Sequence, residues 1–508
     1  MSSSVDPQPN TYMLGTIFNM PTEGGSTIAI AVEKRTGDNL ISLYSVLVTL
    51  MFIPTWKLAA VCARHYFYHD VEKLRKPEKP WDGGVVKLLA TFAMPWQEAA
   101  GLSDEPKSTK ESLAEDRGRQ VALFVFSMCF FFGSMIAGIL VPPLLVIGTV
   151  APVHPSAIYF PGQPLSENPA EGLKYQALKA PAAVRAVGGV GAAKSRGGVD
   201  MNLVSISTGD DPVVQIDYKY QVTGLDFGLQ KLSQLVQTVQ GRCITEYSWI
   251  SPEANATGDY EYYRLWNLPS EVVSVAKNQS LDPPWATMHR HRNTEQTTLT
   301  GNNSYAVVVH SAGRLSYSAS SDPWYSTQVA SGDASLYSGG YEVRRGRPPL
   351  SCWQKDMWSF GSQTVDSVFH LNNLTGLDLP LDWDNFLRIQ FAAPKLIDIG
   401  ISLGRSSLVS STTYLDRITA ASFDAASSKL FDDMERLIWT AYVSSRDIFR
   451  ESTMVVERYN IPNAVTGGDE RVAQFVLTTS AVSTLSLAVL ITVPVVCVVL
   501  WVLRLVVV

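Results

Sequence analysis

Asp378, Asp382 and Asp384 crowd the segment LDLPLDWDNF, three carboxylates beside a tryptophan and a phenylalanine. Acidic and aromatic residues in this mixture suit a sugar-cleaving or calcium site. Glycoside hydrolysis needs two carboxylates at a defined separation, one of them shifted in pKa, and neither quantity is written in a sequence. The plainer reading is a solvated turn before a helix, with Asp382 or Asp384 as its N-cap. His289 and His291 flank Arg290, and on a strand both imidazoles fall on one side. Two ligands do not make a metal site; His310 and His370 would join only through tertiary contacts, so an exposed basic strand is expected. The stretch GGVGAAKS, Gly188 to Ser195, departs from a phosphate-binding loop at Ala193, where glycine is required. Arg196, Gly197 and Gly198 follow at once instead of a helix, so a flexible loop is expected. The chain has no GxSxG elbow, no HExxH and no kinase signature. No cofactor and no metal are therefore expected.

Two other residue types carry chemistry of a different kind. Acceptor sequons for N-glycosylation stand at Asn255 (NAT), Asn278 (NQS), Asn302 (NNS) and Asn373 (NLT), all in the long middle of the chain. Of the five cysteines, Cys62, Cys129 and Cys497 fall in or beside apolar runs, which leaves Cys243 and Cys352 in that middle segment. In an oxidising lumen such a pair predicts one disulfide.

The elements that must position these residues are set first by hydropathy. Hydrophobic residues make up 46% of the 508 and charged residues 17%, an apolar balance for a chain of this length. The net charge of −6 offers none of the basic excess that recruits nucleic acid through counterion release. Three apolar runs are each long enough to span a bilayer. Leu40 to Cys62 carries Lys57 near its end, Val121 to Val153 carries no charge, and Val472 to Val508 carries Arg504. The first lies too deep and runs too long for a cleaved signal peptide. Residues 64–119 hold ten Lys and Arg, so this loop should be cytoplasmic. After the second run no Lys or Arg appears until Lys174, and the sequons lie on that same side. Charge and sequons agree that the middle segment faces outward.

The expected organisation is a non-cytoplasmic arm over 1–37, a first span over 38–63 and a cytoplasmic loop over 64–119 with an interfacial helix at 85–94. A second span follows over 120–151, then a glycosylated ectodomain over 152–471, a third span over 472–503 and a cytoplasmic tail over 504–508. Ser134 and Gly138 form a small-xxx-small face on the second span where another helix can approach.

Within the ectodomain, residues 187–200 read as extended chain and loop. VVQIDYKYQV places Val214, Ile216, Tyr218, Tyr220 and Val222 on one face of a strand. Further strands are expected at Arg242–Ile250, Ser304–His310, Arg314–Ser320 and Tyr341–Arg345. Leu225, Leu229, Leu232, Val236 and Val239 recur at helical spacing instead. Residues 383–410 and 423–450 also read as helical, with Leu430, Met434, Leu437, Ile438 and Tyr442 on one face. The fold class expected is an α-helical transmembrane anchor of three spans plus an α+β ectodomain with antiparallel sheet and C-terminal helices.

The phrases VIGTVAPVHPSAIYFPG, YKYQVTGLDFGLQ and RCITEYSW are similar to segments of uncharacterised polytopic membrane proteins of filamentous fungi that carry a large ectodomain. The resemblance runs from the second span onward and implies no activity, cofactor or catalytic residue. The expected function is a multi-pass membrane glycoprotein of the plasma membrane or secretory endomembranes. Its partners would be the lipid bilayer and an extracellular glycan, wall polymer or protein bound by the ectodomain, whose aromatics include Trp249, Trp285, Trp353 and Trp358. The alternatives are an ectoenzyme acting on carbohydrate through Asp378, Asp382 or Asp384, and an accessory subunit that meets a membrane-protein partner through its spans.

Overall fold

The computed structural model describes residues 7–72, 135–160, 169–207, 211–251, 260–276, 282–291, 301–330, 340–414, 422–454, 463–465 and 469–507, with 125, 129, 130, 132, 133 and 209. The side chains of 60–72 and 169–177 are outside this description. The chain divides into two compact units, one of residues 1–12, 21–26 and 153–477, the other of 13–20, 27–152 and 478–508.

The first unit is an α+β domain built on an antiparallel sheet. Its strands are β1 (Val199–Ser205), β2 (Val214–Thr223), β3 (Leu235–Thr245), β4 (Trp285–Arg290), β5 (Asn302–His310) and β6 (Leu350–Phe360), with the short β7 (Gln363–Val365) paired to β6. The order across the sheet is β4-β5-β6-β3-β2-β1. β2 alternates as its pattern predicts, with Ile216, Tyr218, Tyr220 and Val222 buried and Lys219 and Gln221 exposed. The inner face meets helices: α1 (Pro169–Arg196), α2 (Leu381–Phe391), α3 (Lys395–Leu403), α4 (Leu430–Arg446) and α5 (Ile448–Glu451). All five residues of the predicted apolar face of α4 are buried. An aromatic core lies beneath the sheet, where Trp358 meets Phe391 with ring centroids 5.2 Å apart and Phe449 meets Trp383 at 4.9 Å and Phe475 at 5.4 Å. Offset and edge contacts of this kind add to the area that the rings bury.

Three expectations for this unit are corrected. Residues 187–200 are not a loop, because α1 continues to Arg196. Ala186, Gly189 and Ala193 form a close-packing surface: both alanines are buried, and a Cβ on Gly189 would lie 3.0 Å from a Val443 methyl. The periodicity of Leu225 to Val239 does not make a helix either. Residues 223–228 turn, with Asp226 accepting the Thr223 N–H and Thr223 Oγ1 accepting that of Asp226, and β3 begins at Leu235. β6 is the third departure, an eleven-residue strand the pattern did not predict. Its core-facing positions include Gln354 and Asp356, both buried, so hydropathy does not alternate along it.

The second unit combines a small sheet with apolar helices. The strand Val482–Ser486 pairs with Gly25–Glu33, Glu33 opposite Val482, and also with Val146–Gly148. Ala29 and Ala31 are fully buried, so the expected N-terminal arm is instead a strand completed by a segment some 450 residues away. The same pairing corrects the third apolar run. Its Ser- and Thr-rich opening forms strands, and the helix starts only at Leu487 and runs to Val507.

Among the described residues, two helices rather than three are long and apolar enough to cross a membrane, Lys34–Ala59 and Leu487–Val506. Tyr44 Oη on the first donates to the Leu490 carbonyl on the second at 2.6 Å, around a core of Tyr44, Leu145 and Leu485. Of the expected second span, residues 120–124, 126–128, 131 and Ser134 lie outside the described residues, as does the interfacial helix at 85–94, and its described apolar stretch, Met135–Leu145, is shorter than a bilayer crossing needs. Its end is not helical, since Pro142–Leu145 form a 3-10 turn that leads into a strand. Gly138 packs on the first helix, where its carbonyl accepts from Ser45 Oγ at 3.3 Å.

Candidate functional site

The three aspartates have separate environments. Asp378 is exposed and paired with Arg471 at 2.8 Å. Asp382 and Asp384 fall in the first turn of α2, whose N-cap is Pro380 rather than either of them. Asp382 is half-buried, whereas Asp384 is buried and holds Arg388 at 2.8 Å. Each acidic group is thus in a different setting, and the two that pair do so with different arginines.

The histidines rearrange in a similar way. His289 Nε2 and His310 Nε2 lie 3.0 and 3.1 Å from Thr287 Oγ1, while His291 turns its edge to Trp266 and His370 is exposed. His310 stacks on Trp285 at 3.9 Å, and burial, with Arg314 and His289 nearby, pushes its pKa down to about 3. It is a neutral core residue. No group of three or more metal-ligating side chains gathers among the described residues.

Cys243 and Cys352 form a disulfide. Asn302 and Asn373 are both exposed, at the start of β5 and at the end of a 3-10 turn. Asn255 and Asn278 lie outside the described residues.

Two places in the α+β unit combine the reach and the polarity that recognition requires. The first is the outer face of the sheet. Residues paired across five strands align Asn202, Asp217, Arg242, Trp353 and Ser304 in one row, and Asp200, Lys219, Gln240, Lys355 and Asn302 in the next. Four strand spacings carry each row across about 19 Å. Arg242 is anchored to Asp217 at 2.6 Å, and Trp353 beside it is 40% exposed. An indole set among amides and paired charges offers an apolar plate with hydrogen-bonding groups on every side. The sequence signal was present in Trp353, but without β6 nothing placed it on this face.

The second is a partly open cavity of about 80 Å³ framed by α1, α2, α3 and α5. Lys395, at the start of α3, is buried there and donates to Gln390 Oε1 at 2.8 Å. Desolvation, opposed by Asp398 and assisted by Lys179, lowers its pKa to about 7. Lys179 takes Asp398 at 2.7 Å, against 3.8 Å for Lys395. Arg185 forms a two-pronged pair with Glu451 across the same opening. Sequence reasoning passed over this site. Its only signal was a lone lysine heading the apolar helix KLIDIGISL.

Residues 180–477 match the family model described as Domain of unknown function (DUF8406), and the chain belongs to that family. No curated protein and no solved structure matches the chain.

Proposed function

We infer that this chain is a membrane-anchored display protein whose α+β unit binds a glycan, wall polymer or protein outside the cytoplasm. The observation that carries the binding role is the outer sheet face, where Trp353 lies among paired charges and amides in registered rows. Polymers with alternating apolar and hydroxyl-bearing surfaces bind such faces by stacking on the indole while the flanking polar groups fix register. Anchoring rests on the two apolar helices. The outward orientation rests on ten Lys and Arg within 64–119, supported by the sequons and by a disulfide that persists in oxidising compartments. These features together support the reading of a multi-pass glycoprotein of the plasma membrane or secretory endomembranes.

Binding is tested by co-sedimenting the detergent-solubilised chain with insoluble cell-wall polysaccharides and by probing a glycan array, each with the Trp353→Ala and Arg242→Ala variants. Retention lost in both variants supports the sheet face, whereas retention unchanged in both rules it out. Treatment with an N-glycan-removing enzyme tests orientation separately: a mobility shift that disappears in the quadruple sequon variant places the middle segment outside.

A further inference from the structure

We propose that Lys395 is a nucleophilic lysine that captures a small carbonyl compound, an aldehyde or ketone of a few heavy atoms, as an imine inside the helical cavity. This activity is independent of the sheet face. The cavity has the parts that imine chemistry needs. An amine attacks a carbonyl only as the free base, and desolvation or a neighbouring cation is what keeps a lysine in that form. Lys395 has both, since it is buried and shares Asp398 with Lys179. Lys179 is the closer partner of that carboxylate, so the Lys395 amine is not held as one half of a tight ion pair. Its contact to Gln390 fixes one N–H, and Phe386, Ile399 and Ile448 supply apolar walls to the cavity.

The remaining groups at the cavity fit the same chemistry. Ser402 Oγ lines the opening and is buried without a hydrogen-bond partner among the described residues. A buried hydroxyl without a partner is costly, and a carbonyl or carbinolamine oxygen would satisfy it. Arg185 and Glu451 neutralise one another at the opening. The Nζ lone pair forms the new bond to the carbonyl carbon while the C–O π pair moves onto oxygen. Two protons from nitrogen then pass to that oxygen, with Asp398 positioned to carry them. The oxygen departs as water and the C=N bond remains. Atoms and electrons balance without an oxidant or reductant.

The test treats the full chain in detergent with acetaldehyde and sodium cyanoborohydride at pH 7, and quantifies ethylated lysines by peptide mass spectrometry. About half of an amine with a pKa of about 7 is free at that pH, against less than about 0.1% for an ordinary lysine. Lys395 should therefore be modified more than about tenfold faster than the surface residues Lys219 and Lys355. Denaturation should remove that preference. Ala182→Leu, which narrows the cavity and leaves Lys395 in place, should reduce Lys395 modification to the surface level, with far-UV circular dichroism confirming that the fold is retained. Modification of Lys395 no faster than that of Lys219 in the native chain overturns the proposal, as does undiminished modification in folded Ala182→Leu.

Discussion

Cys243 and Cys352 stand directly opposite each other on β3 and β6, with Cα atoms 4.1 Å apart, and their disulfide joins positions 109 residues apart in sequence. The bond lies on the inner face of the sheet, where Cys243 Sγ is 3.7 Å from the buried Tyr305 hydroxyl. Everything between the two strands must fold within the closed loop. Removing the constraint enlarges the unfolded ensemble, and long loops lose the most. The Cys243→Ala/Cys352→Ala double variant should lose about 2–4 kcal/mol of stability, read as a lower urea midpoint. An unchanged midpoint would mean that the bond does not form in the expressed protein.

Gly241 sits opposite Tyr218 on the neighbouring strand, and a Cβ there would come within 2.1 Å of the Tyr218 ring. The missing side chain lets that ring lie across β3 and place its hydroxyl 3.0 Å from Tyr305 Oη and 2.9 Å from Gln354 Oε1. Gly241→Ala should therefore cost about 1–3 kcal/mol as the ring is pushed out of place. Tyr218→Phe/Gly241→Ala should be no better than Gly241→Ala alone, since removing the hydroxyl oxygen, 2.3 Å from that Cβ, leaves the nearer ring carbon at 2.1 Å in place. Thermal unfolding of the two variants and the parent chain makes the comparison.

Trp353 and Trp358 belong to the same strand but point to opposite faces. Trp358 is fully buried against Phe391, and Trp358→Ala should cost about 3–5 kcal/mol. Trp353 projects outward, so Trp353→Ala should change stability by no more than about 1 kcal/mol while abolishing ligand retention. A large loss of stability in Trp353→Ala would assign that indole to packing instead of recognition.

The pH dependence of stability follows from buried carboxylates. Burial pushes Asp356 up to about 7 and both Asp322 and Asp433 up to about 6. A carboxyl whose folded pKa exceeds its unfolded value binds its proton more tightly in the native state. Stability is then greatest below the unfolded pKa and falls as pH rises through the folded one. The domain should thus lose stability between about pH 4 and 7. Lys395 acts with the opposite sign, because its lowered pKa makes stability rise with pH from about 7 toward the ordinary lysine range. Asp356→Asn should reduce the slope most between pH 6 and 7, where Asp356 is still largely protonated in the folded state and the other two aspartates are already more than half ionised. Urea midpoints measured across that range would show no change in slope if Asp356 were ionised throughout.

Legibility differed from element to element for physical reasons. β2 could be read directly because its inward residues are apolar and its outward ones polar, and α4 because its apolar stripe is unbroken. β6 could not, since Gln354 and Asp356 occupy core positions and satisfy each other by a 2.7 Å hydrogen bond, a pairing invisible to hydropathy. The glycines and alanines of 187–200 look like a linker until Val443 is seen packed on Gly189 and Tyr442 on Gly198. Leu225 to Val239 repeats at helical spacing by coincidence of a turn with a strand.

The sequence by itself determined the features that depend on composition and short-range pattern: the apolar runs, the sequons, the candidate cysteine pair, the alternation of β2 and the stripe of α4. Local physics decides these, because a bilayer-length apolar run or a period of two needs no distant partner. Tertiary structure alone decided that the N-terminal segment is a strand, that Trp353 lies in a row with Arg242 and Asp217, and that Lys395 is buried beside Lys179. Each of these depends on pairings between positions far apart in the chain. Strand register and desolvation are properties of the neighbours that folding supplies, and no window of sequence contains them.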